Sequence, residues 1–322
     1  MIPHRLDWRL LAGAACVSLA AAAQASDYPS KPIQIIVPYA PGGSTDQLAR
    51  ALQKPMSDAL GQQVVVINKP GAGGTIGTDQ VVRAEPDGYT LVFGNTGPNA
   101  IVALTRKIPY DLFTDLQPIS TVALTPMILA VPADSPAKTL KDFIAYAKKQ
   151  GNTMNFGSVG AGSLSHLTGE YFNELSGLKL QHVPYTGGAP MLPAFIGGEI
   201  QAAFVTGLDG ATMLASGKVR YLAVGTEKRT DVAPGLPAIA EDVPGFKSVA
   251  WFGVLAPRGT PDNIVKKLNR AVAAAVANPE VNKLFRDRWI EPHSSTPQEL
   301  TDIIKSEVAQ WKPVVQKANI QN

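Results

Sequence analysis

The sequence has very little cysteine, few histidines and few charged residues. Its one cysteine, Cys16, falls inside an apolar N-terminal run, and only four histidines occur among 322 residues. Removal of that run would leave no disulfide and no thiol chemistry. Charged residues make up 17% of the chain and the net charge is +3, without a cluster of Lys and Arg. This balance gives no broad basic field, so nucleic acid is not a predicted partner.

Motifs for catalysis and metal binding are also missing from the sequence. It contains no G-x-S-x-G nucleophile elbow, no H-E-x-x-H zinc motif and no G-x-x-x-x-G-K-S/T phosphate loop. Its glycine-rich loops lack the G-x-G-x-x-G spacing of a dinucleotide site. His166, His182 and His293 are isolated from one another in the sequence. We therefore predict no cofactor, no metal and no catalytic residue, and the chain is not expected to be an enzyme.

The N-terminal residues 1–25 have the pattern of a secretory signal peptide. Two arginines precede an apolar, alanine-rich run over residues 10–23, which leads into the A-x-A sequence Ala23-Gln24-Ala25. The run is too short and too rich in alanine for a spanning helix, and an uncleaved membrane anchor is the alternative. We expect a periplasmic protein that is cleaved after Ala25 and begins at Ser26.

A strand, a glycine turn and a helix are predicted in the first part of the mature chain. The apolar run that begins at Ile33 ends at Pro41-Gly42-Gly43, and Ser44-Thr45-Asp46 precede a helical run from Gln47 to Leu60. The first N–H groups of a helix lack internal partners, so this turn can bind a carboxylate or a phosphate without a basic side chain. Taken alone, an ordinary turn capped by Ser44 or Thr45 explains the pattern equally well.

Two further strands follow, and each ends in a loop of small residues. The run from Gln63 to Asn68 leads to Gly71-Ala72-Gly73-Gly74-Thr75, and the run from Tyr89 to Phe93 leads to Gly94-Asn95-Thr96-Gly97. Three strands with two intervening helices predict a parallel, doubly wound sheet. Because parallel strands end at the same edge, all three loops should meet at its carboxyl edge.

The second half of the sequence repeats this architecture. Residues 118–132 predict two successive strands, one leaving the first domain and one entering the second. A strand over residues 249–256 then returns the chain to the first domain. We therefore predict an α/β protein of two doubly wound domains joined by two crossovers. Domain I comprises residues 26–124 and 250–322, and domain II comprises residues 125–249.

Two ionisable residues in the second-domain loops each have two possible roles. His166 lies one turn into the helix that follows Gly162-Ser163, where it either contacts a ligand or makes a hydrogen bond within its own helix. Asp209 follows another strand. It either caps a short helix over Ala211 to Ala215 or accepts a hydrogen bond from a ligand's hydroxyl or ammonium group.

Five segments of the sequence resemble the signature segments of one family: PYAPGGSTDQLAR, INKPGAGGTIGTDQVVRAEPDGYTL, SVGAGSLSHLTGEYF, HVPYTGGAPMLPAFIGGEIQAAF and GKVRYLAVGTEKR. They are similar to the Bug-type periplasmic solute-binding proteins of tripartite tricarboxylate transporters, in order and over essentially the whole mature chain. The resemblance implies a two-lobed Venus-flytrap fold. It also implies that a carboxylated metabolite is held in the cleft, partly through ordered water, and is passed to membrane transporter subunits.

The resemblance and the loop pattern together give a set of expected ligand-binding residues. In the first domain these are Tyr39, Pro41, Gly42, Gly43, Ser44, Thr45, Asp46, Gly71, Ala72, Gly73, Gly74, Thr75 and Thr96. In the second domain they are Ser158, Gly162, Ser163, His166, Tyr185, Thr186, Gly187, Gly188, Ala189 and Asp209. The protein is expected to be a monomer that binds a small organic carboxylate. The alternatives are an exported α/β enzyme acting on such an acid and a receptor scaffold reused for signalling.

Overall fold

A computed structural model describes residues 28–188 and 190–320 of the chain. The predicted signal peptide, its cleavage after Ala25 and the expected site residue Ala189 lie outside the described residues. In the described part of the chain, no helix combines the length and the apolar content needed to cross a membrane.

Strands and helices alternate along most of the chain. The strands are β1 (Ile33–Val37), β2 (Val64–Asn68), β3 (Thr90–Asn95), β4 (Leu116–Pro126), β5 (Ile128–Pro132), β6 (Asn155–Ser158), β7 (Gln181–Pro184), β8 (Ala202–Val205), β9 (Val219–Val224), β10 (Val249–Pro257) and β11 (Glu291–Pro292). The helices are α1 (Ser44–Leu60), α2 (Thr75–Val82), α3 (Val102–Thr105), α4 (Leu140–Gln150), α5 (Leu164–Ser176), α6 (Met191–Ile196), α7 (Ala211–Ala215), α8 (Asp262–Ala277), α9 (Pro279–Arg286) and α10 (Pro297–Lys317).

Two β-sheets organise the molecule into two lobes. The first sheet has the order β11-β4-β10-β3-β1-β2, and the second has the order β7-β6-β8-β5-β9. Strand β1 pairs in parallel with both β2 and β3, which confirms the parallel arrangement predicted for the first three strands. Each sheet as a whole is mixed, because β10 runs antiparallel to β3 and β4, and β5 runs antiparallel to β8 and β9.

The chain passes between the lobes at two neighbouring places. Strand β4 belongs to the first sheet and β5 to the second, with only Met127 between them, and β10 returns to the first sheet. The Met127 N–H donates to the Ser248 carbonyl over 3.0 Å, and the Gly225 N–H donates to the Met127 carbonyl over 2.6 Å. The two crossing segments are therefore bonded side by side, and the crossings predicted at residues 118–132 and 249–256 are confirmed.

Each sheet is covered by helices on both faces, because successive strand residues point to opposite sides. In β1, Ile33 and Ile35 belong to the core with α1 and α8, whereas Ile36 belongs to the core with α2 and α10. In the second lobe, Leu129 of β5 packs with the α4 and α5 side, and Ile128 packs with the α6 and α7 side. This layering leaves the loops at the strand ends free to form a site.

Helix α10 packs against both lobes. In its first half, Leu300 and Ile304 pack on the first sheet, next to Trp251. In its second half, Trp311 and Val314 belong to the core of the second lobe. Trp311 lies edge-on to Tyr171 of α5, with 5.7 Å between ring centroids. The C-terminal helix is thus a third connection between the lobes.

Candidate functional site

A cavity of about 530 Å³ lies between the two lobes. This volume falls in the range of roughly 300–1,000 Å³ that is typical of small-molecule sites. Its walls are loops from both sheets, and its charged side chains are Arg106 and Asp209. The cavity is therefore lined mainly by glycine-rich backbone, hydroxyl groups and apolar side chains, which include Val102, Met127 and Phe252.

Many of the expected site residues line this cavity. In the first lobe these are Tyr39, Pro41, Gly43, Ser44, Thr45, Gly73 and Thr96. In the second lobe they are Gly162, Ser163, Thr186, Gly187 and Asp209. The structure therefore brings six separate loops to one space. Their contact with a ligand stays a prediction.

Other expected residues do not line the cavity but lie within two positions of residues that do. In the first lobe these are Gly42, Asp46, Gly71, Ala72, Gly74 and Thr75, and in the second lobe they are Ser158, His166, Tyr185 and Gly188. Gly188 shows one reason, because a Cβ atom built there would clash with the Asp209 carbonyl oxygen. The backbone of this loop is therefore packed directly on the Asp209 loop.

Helix α1 presents an uncapped N-terminus to the cavity. It begins at Ser44, earlier than the predicted Gln47, and its N-cap is Gly43, which makes no side-chain capping bond. The alternative of a turn capped by Ser44 or Thr45 is therefore wrong. The first N–H groups of the helix have no intrahelical acceptor, and Ser44 and Thr45 both line the cavity. These N–H groups can donate to an anion, and the positive end of the helix dipole attracts the same anion.

Asp46 supports this turn from within the first lobe. Its carboxylate accepts hydrogen bonds from the Gly42 N–H at 2.9 Å, from Arg50 at 3.0 Å and from Asn68 at 2.9 Å. Burial alone would raise the pKa of the Asp46 carboxyl, but these bonds outweigh it and hold that pKa below its usual range. The ionised Asp46 carboxylate therefore stabilises the glycine turn.

A polar network joins the first-lobe loops through Asn95, which the sequence did not single out as a site residue. The Tyr39 hydroxyl donates to Asn95 Oδ1 over 3.2 Å, and Asn95 Nδ2 donates to Thr45 Oγ1 over 3.0 Å. The Gly97 N–H also donates to Asn95 Oδ1. Asn95 lines the cavity at the end of β3. One amide therefore fixes the loops after β1 and β3 relative to each other.

The second lobe presents the N-terminus of α5 to the cavity, and this helix, unlike α1, has a side-chain cap. Ser163 caps this helix by accepting the His166 N–H at 3.2 Å, and Leu164 and Ser165 in its first turn line the cavity. His166 Nδ1 accepts the Gly162 N–H at 3.1 Å. His166 thus supports the turn from within its own lobe, which is the hydrogen-bonding role that the sequence left open.

Two histidines stack behind this turn. The rings of His166 and His182 are 3.5 Å apart between centroids and 10° from parallel. His182 Nε2 lies 2.7 Å from Ser158 Oγ, so Ser158 is also engaged inside the lobe. Burial, and then the neighbouring His166, lower the pKa of His182 from 6.5 to about 4. His182 is therefore uncharged at neutral pH.

Asp209 meets the first lobe directly. Its Oδ1 accepts a hydrogen bond of 2.7 Å from Ser44 Oγ, and its Oδ2 accepts one of 2.8 Å from Thr206 Oγ1. Both carboxylate oxygens are therefore used by hydroxyl groups. The sequence suggested a helix cap or a ligand contact, and the bond between the lobes is a third role that only the fold reveals.

Arg106 is a charged cavity residue that the sequence patterns did not indicate. It follows α3, and its guanidinium lies over Gly73, where a Cβ atom would be 3.2 Å from Nη2. The available signal was an arginine that ends the apolar run IVALT shortly after the third glycine loop. The expectation that the first-domain loops lack a basic side chain holds for their own residues, but Arg106 brings a cation to them from elsewhere in the chain.

The two lobes and the cavity between them define a two-lobed solute-binding protein, and comparison with known proteins agrees. Residues 48–320 match the family model described as tripartite tricarboxylate transporter family receptor. Protein BugT of Bordetella pertussis is 35% identical over 306 residues, which cover 94% of this chain and 94% of BugT.

Two solved structures are similar to this chain. The structure of R. palustris Rpa4515 with adipate has a TM-score of 0.81 and 35% identity, covering 91% of this chain and 99% of its own. The periplasmic binding protein BugD has a TM-score of 0.77 and 35% identity, again covering 91% of this chain and 99% of its own. The chain belongs to the tripartite tricarboxylate transporter receptor family, and the predicted Bug-type resemblance and two-lobed fold are confirmed.

Proposed function

We propose that this protein captures a small organic carboxylate between its lobes and delivers it to the membrane subunits of a tripartite tricarboxylate transporter. The observation that carries the proposal is the meeting of two helix N-termini at one cavity. Ser44 and Thr45 of α1 face it from the first lobe, and Leu164 and Ser165 of α5 face it from the second. Membership of a receptor family supports the same function.

The physical reason for a carboxylate is the electrostatics of the helix ends. Helices α1 and α5 have 17 and 13 residues, so each is long enough to carry the partial positive charge of the helix dipole at its first turn. Backbone N–H groups in that turn are good donors to an anionic oxygen. The adipate named with the R. palustris relative is a carboxylate, which supports this ligand class here.

The other parts of the proposed site follow from the same geometry. The loops with Gly43, Gly73, Gly162 and Gly187 give backbone access to the ligand, partly through water. Asp209 accepts a hydrogen bond from a ligand hydroxyl or ammonium group in addition to those from Ser44 and Thr206, because each carboxylate oxygen can accept more than one bond. We propose domain boundaries between residues 124 and 125 and between residues 249 and 250, and a monomeric receptor.

We also propose that the receptor works in the periplasm after cleavage at Ala25. The charged start, the apolar run and the A-x-A sequence support export. The similarity to a periplasmic binding protein supports the same compartment. Cleavage would remove Cys16 and leave a mature chain without cysteine.

The test uses the chain from Ser26, purified from the periplasm. Native mass spectrometry should detect a co-purified small acid, and a thermal-shift screen should compare carboxylates with their uncharged amides. A ligand that binds only the folded state stabilises it by about 2.7 kcal/mol at 100 times its dissociation constant. We expect shifts for acids and none for amides. Equal shifts for both would contradict anion recognition, and a changed ligand mass after incubation would support the enzyme alternative.

A further inference from the structure

Arg106 is held at the cavity wall by the backbone around it. Its N–H donates to the Val102 carbonyl over 3.1 Å, at the end of α3, where the chain turns from helical to extended backbone. Its guanidinium lies against the turn at Gly73, a residue with φ of +64°. A Cβ atom at Gly73 would lie 3.2 Å from Arg106 Nη2, so a side chain there would crowd the guanidinium, and the positive φ also favours glycine.

The guanidinium of Arg106 has no acceptor among residues 28–188 and 190–320. Its Nε is buried and makes no hydrogen bond there. Arg50, Arg83, Arg220 and the other described arginines donate to carboxylates, amides or carbonyls, apart from Arg270, which is exposed to water on α8. A buried donor left unpaired costs free energy, and the cost is larger for a charged group.

The two charged residues of the cavity wall, Arg106 and Asp209, form no ion pair with each other in the described part of the chain. Asp209 is the other charged residue in the cavity wall, and hydroxyl groups of Ser44 and Thr206 occupy its two oxygens. The N-termini of α1 and α5 add partial positive charge. A ligand with one carboxylate at the helix ends would leave Arg106 without an anion. A second anion would complete the site.

We propose that Arg106 determines the specificity of this receptor by binding a second carboxylate of the ligand, so that the substrate class is a dicarboxylate. This inference rests on the proposed function, because it assumes that the first carboxylate lies at the helix N-termini. The planar guanidinium suits a carboxylate, which can accept two parallel hydrogen bonds from it. Gly73 gives the second carboxylate a close approach beside the guanidinium.

The test measures dissociation constants by calorimetry for matched acids on the mature protein. Succinate, glutarate and adipate are compared with butyrate, valerate and hexanoate, which have the same carbon numbers and lack one carboxylate. The variants are Arg106→Gln and Arg106→Lys, with Arg270→Gln as the control for loss of one positive charge. Thermal unfolding of each unliganded variant checks that it is folded.

We expect wild type to bind its best dicarboxylate at least about tenfold more tightly than the matched monocarboxylate. Arg106→Gln should remove that preference, because one hydrogen-bonded charge contact is worth a factor of ten or more. The affinity of this variant for the monocarboxylate should stay within about twofold of the wild-type value. Arg106→Lys should keep part of the preference, since it retains the charge but not the planar fork. Arg270→Gln should change neither class.

Three results would overturn the inference while leaving carboxylate capture intact. They are a wild-type preference for monocarboxylates, an equal loss of both classes in Arg106→Gln, and an unchanged dicarboxylate preference in that variant. If Arg106→Gln does not fold, an unchanged preference in Arg106→Lys has the same meaning. If wild type binds no carboxylate of either class, that result would instead contradict both the proposed function and this inference.

Discussion

Ser44 of the first lobe donates a 2.7 Å hydrogen bond to Asp209 of the second lobe, across the cavity that both residues line. Asp209 also accepts a bond from Thr206, but that residue belongs to the same lobe. Both hydroxyl groups therefore donate to the same carboxylate. The Ser44 bond joins the two lobes, whereas the Thr206 bond lies within the second lobe. Only the Ser44 bond favours the arrangement in which the lobes face each other closely.

Removing the Ser44 hydroxyl should make the unliganded protein more open. In Ser44→Ala the bond between the lobes is lost, which costs about 1 kcal/mol, so ligand binding should weaken by roughly fivefold. Small-angle scattering should give a larger radius of gyration for the variant without ligand. Thr206→Val is the matched control, because it removes the other hydroxyl but leaves the lobes connected. Equal scattering changes in both variants would show that the Ser44 bond has no special role in closure.

Gly73 should matter for binding more than for stability. Gly73→Ala forces φ of +64° on a residue with a side chain and also pushes against Arg106. The control is Gly61→Ala, which has φ of +68° at the end of α1 and nothing within 4 Å of its added carbon. Both variants should lose about 1–2 kcal/mol of folding free energy from backbone strain alone. Only Gly73→Ala should lose affinity for the carboxylate, measured by calorimetry, and similar affinity loss in both would remove Gly73 from the site.

The sequence predicted the elements and the loops because these depend on local patterns. Helix α1 ends at Leu60 and strand β2 ends at Asn68, as predicted, and the run over residues 118–132 divides into β4 and β5 as expected. Apolar runs that end in glycine turns are typical of strands in doubly wound sheets. The backbone part of the candidate site was therefore accessible from the sequence.

The side-chain part of the site depends on contacts between distant residues, which local patterns do not report. Arg106 lies over Gly73 within the first lobe, and Asp209 accepts a bond from Ser44, 165 positions away, so both contacts depend on the tertiary fold. Asp46 and His166 lie in the correct loops, but each bonds back to the turn that it follows. A polar side chain next to a glycine turn can point into the cavity or bond back to its own turn, and the sequence does not determine which of the two occurs.

His182 should make the protein less stable in mild acid. Its ring faces His166 and Ser158, and Glu170 lies 3.7 Å from His166 Nε2. The pKa of His182 is lowered from 6.5 to about 4 by burial and then by His166. Between these values the unfolded chain binds a proton that the folded chain does not, so stability falls as pH decreases from 6.5 to 4 and levels off below.

The measurement is the melting temperature of wild type and of His182→Gln across this pH range. Glu307 acts in the opposite direction, since burial raises its pKa to about 7 and the folded state then gains stability as pH falls. The difference between the two proteins isolates His182. As pH falls, the melting temperature of wild type should decrease more than that of His182→Gln. The control variant His293→Gln should show the same decrease as wild type. Parallel curves for wild type and His182→Gln would contradict the assignment.

Export should be visible as a mass change. Intact-mass analysis of the protein from the periplasmic fraction should give a chain that begins at Ser26, since the A-x-A sequence precedes it. Ala25→Arg removes the small residue at the cleavage position and should leave a larger, membrane-associated form. A periplasmic product that retains Met1 would be inconsistent with a cleaved signal.

A second contact between the lobes lies at Gly207 and Trp289. Gly207 follows β8 in the second lobe, and Trp289 follows α9 in the first. A Cβ atom at Gly207 would be 2.5 Å from the Trp289 Cβ and 2.7 Å from the Arg288 carbonyl oxygen. The Trp289 ring also lies edge-on to Tyr221 of the second lobe, with 5.4 Å between centroids. This edge of the cleft has no space for one additional carbon atom.

Gly207→Ala should therefore hold the lobes apart on this side. Because the clash involves backbone and a Cβ atom rather than a flexible side-chain end, overpacking should cost about 1–3 kcal/mol, and the ligand must overcome that cost to close the cleft. Gly197→Ala is the control, since its added carbon meets only Pro193 of the same lobe, at 3.3 Å. Scattering should show a larger radius of gyration for Gly207→Ala at saturating ligand, with weaker binding by calorimetry. A variant that closes and binds like Gly197→Ala would mean that the lobes come together without this contact.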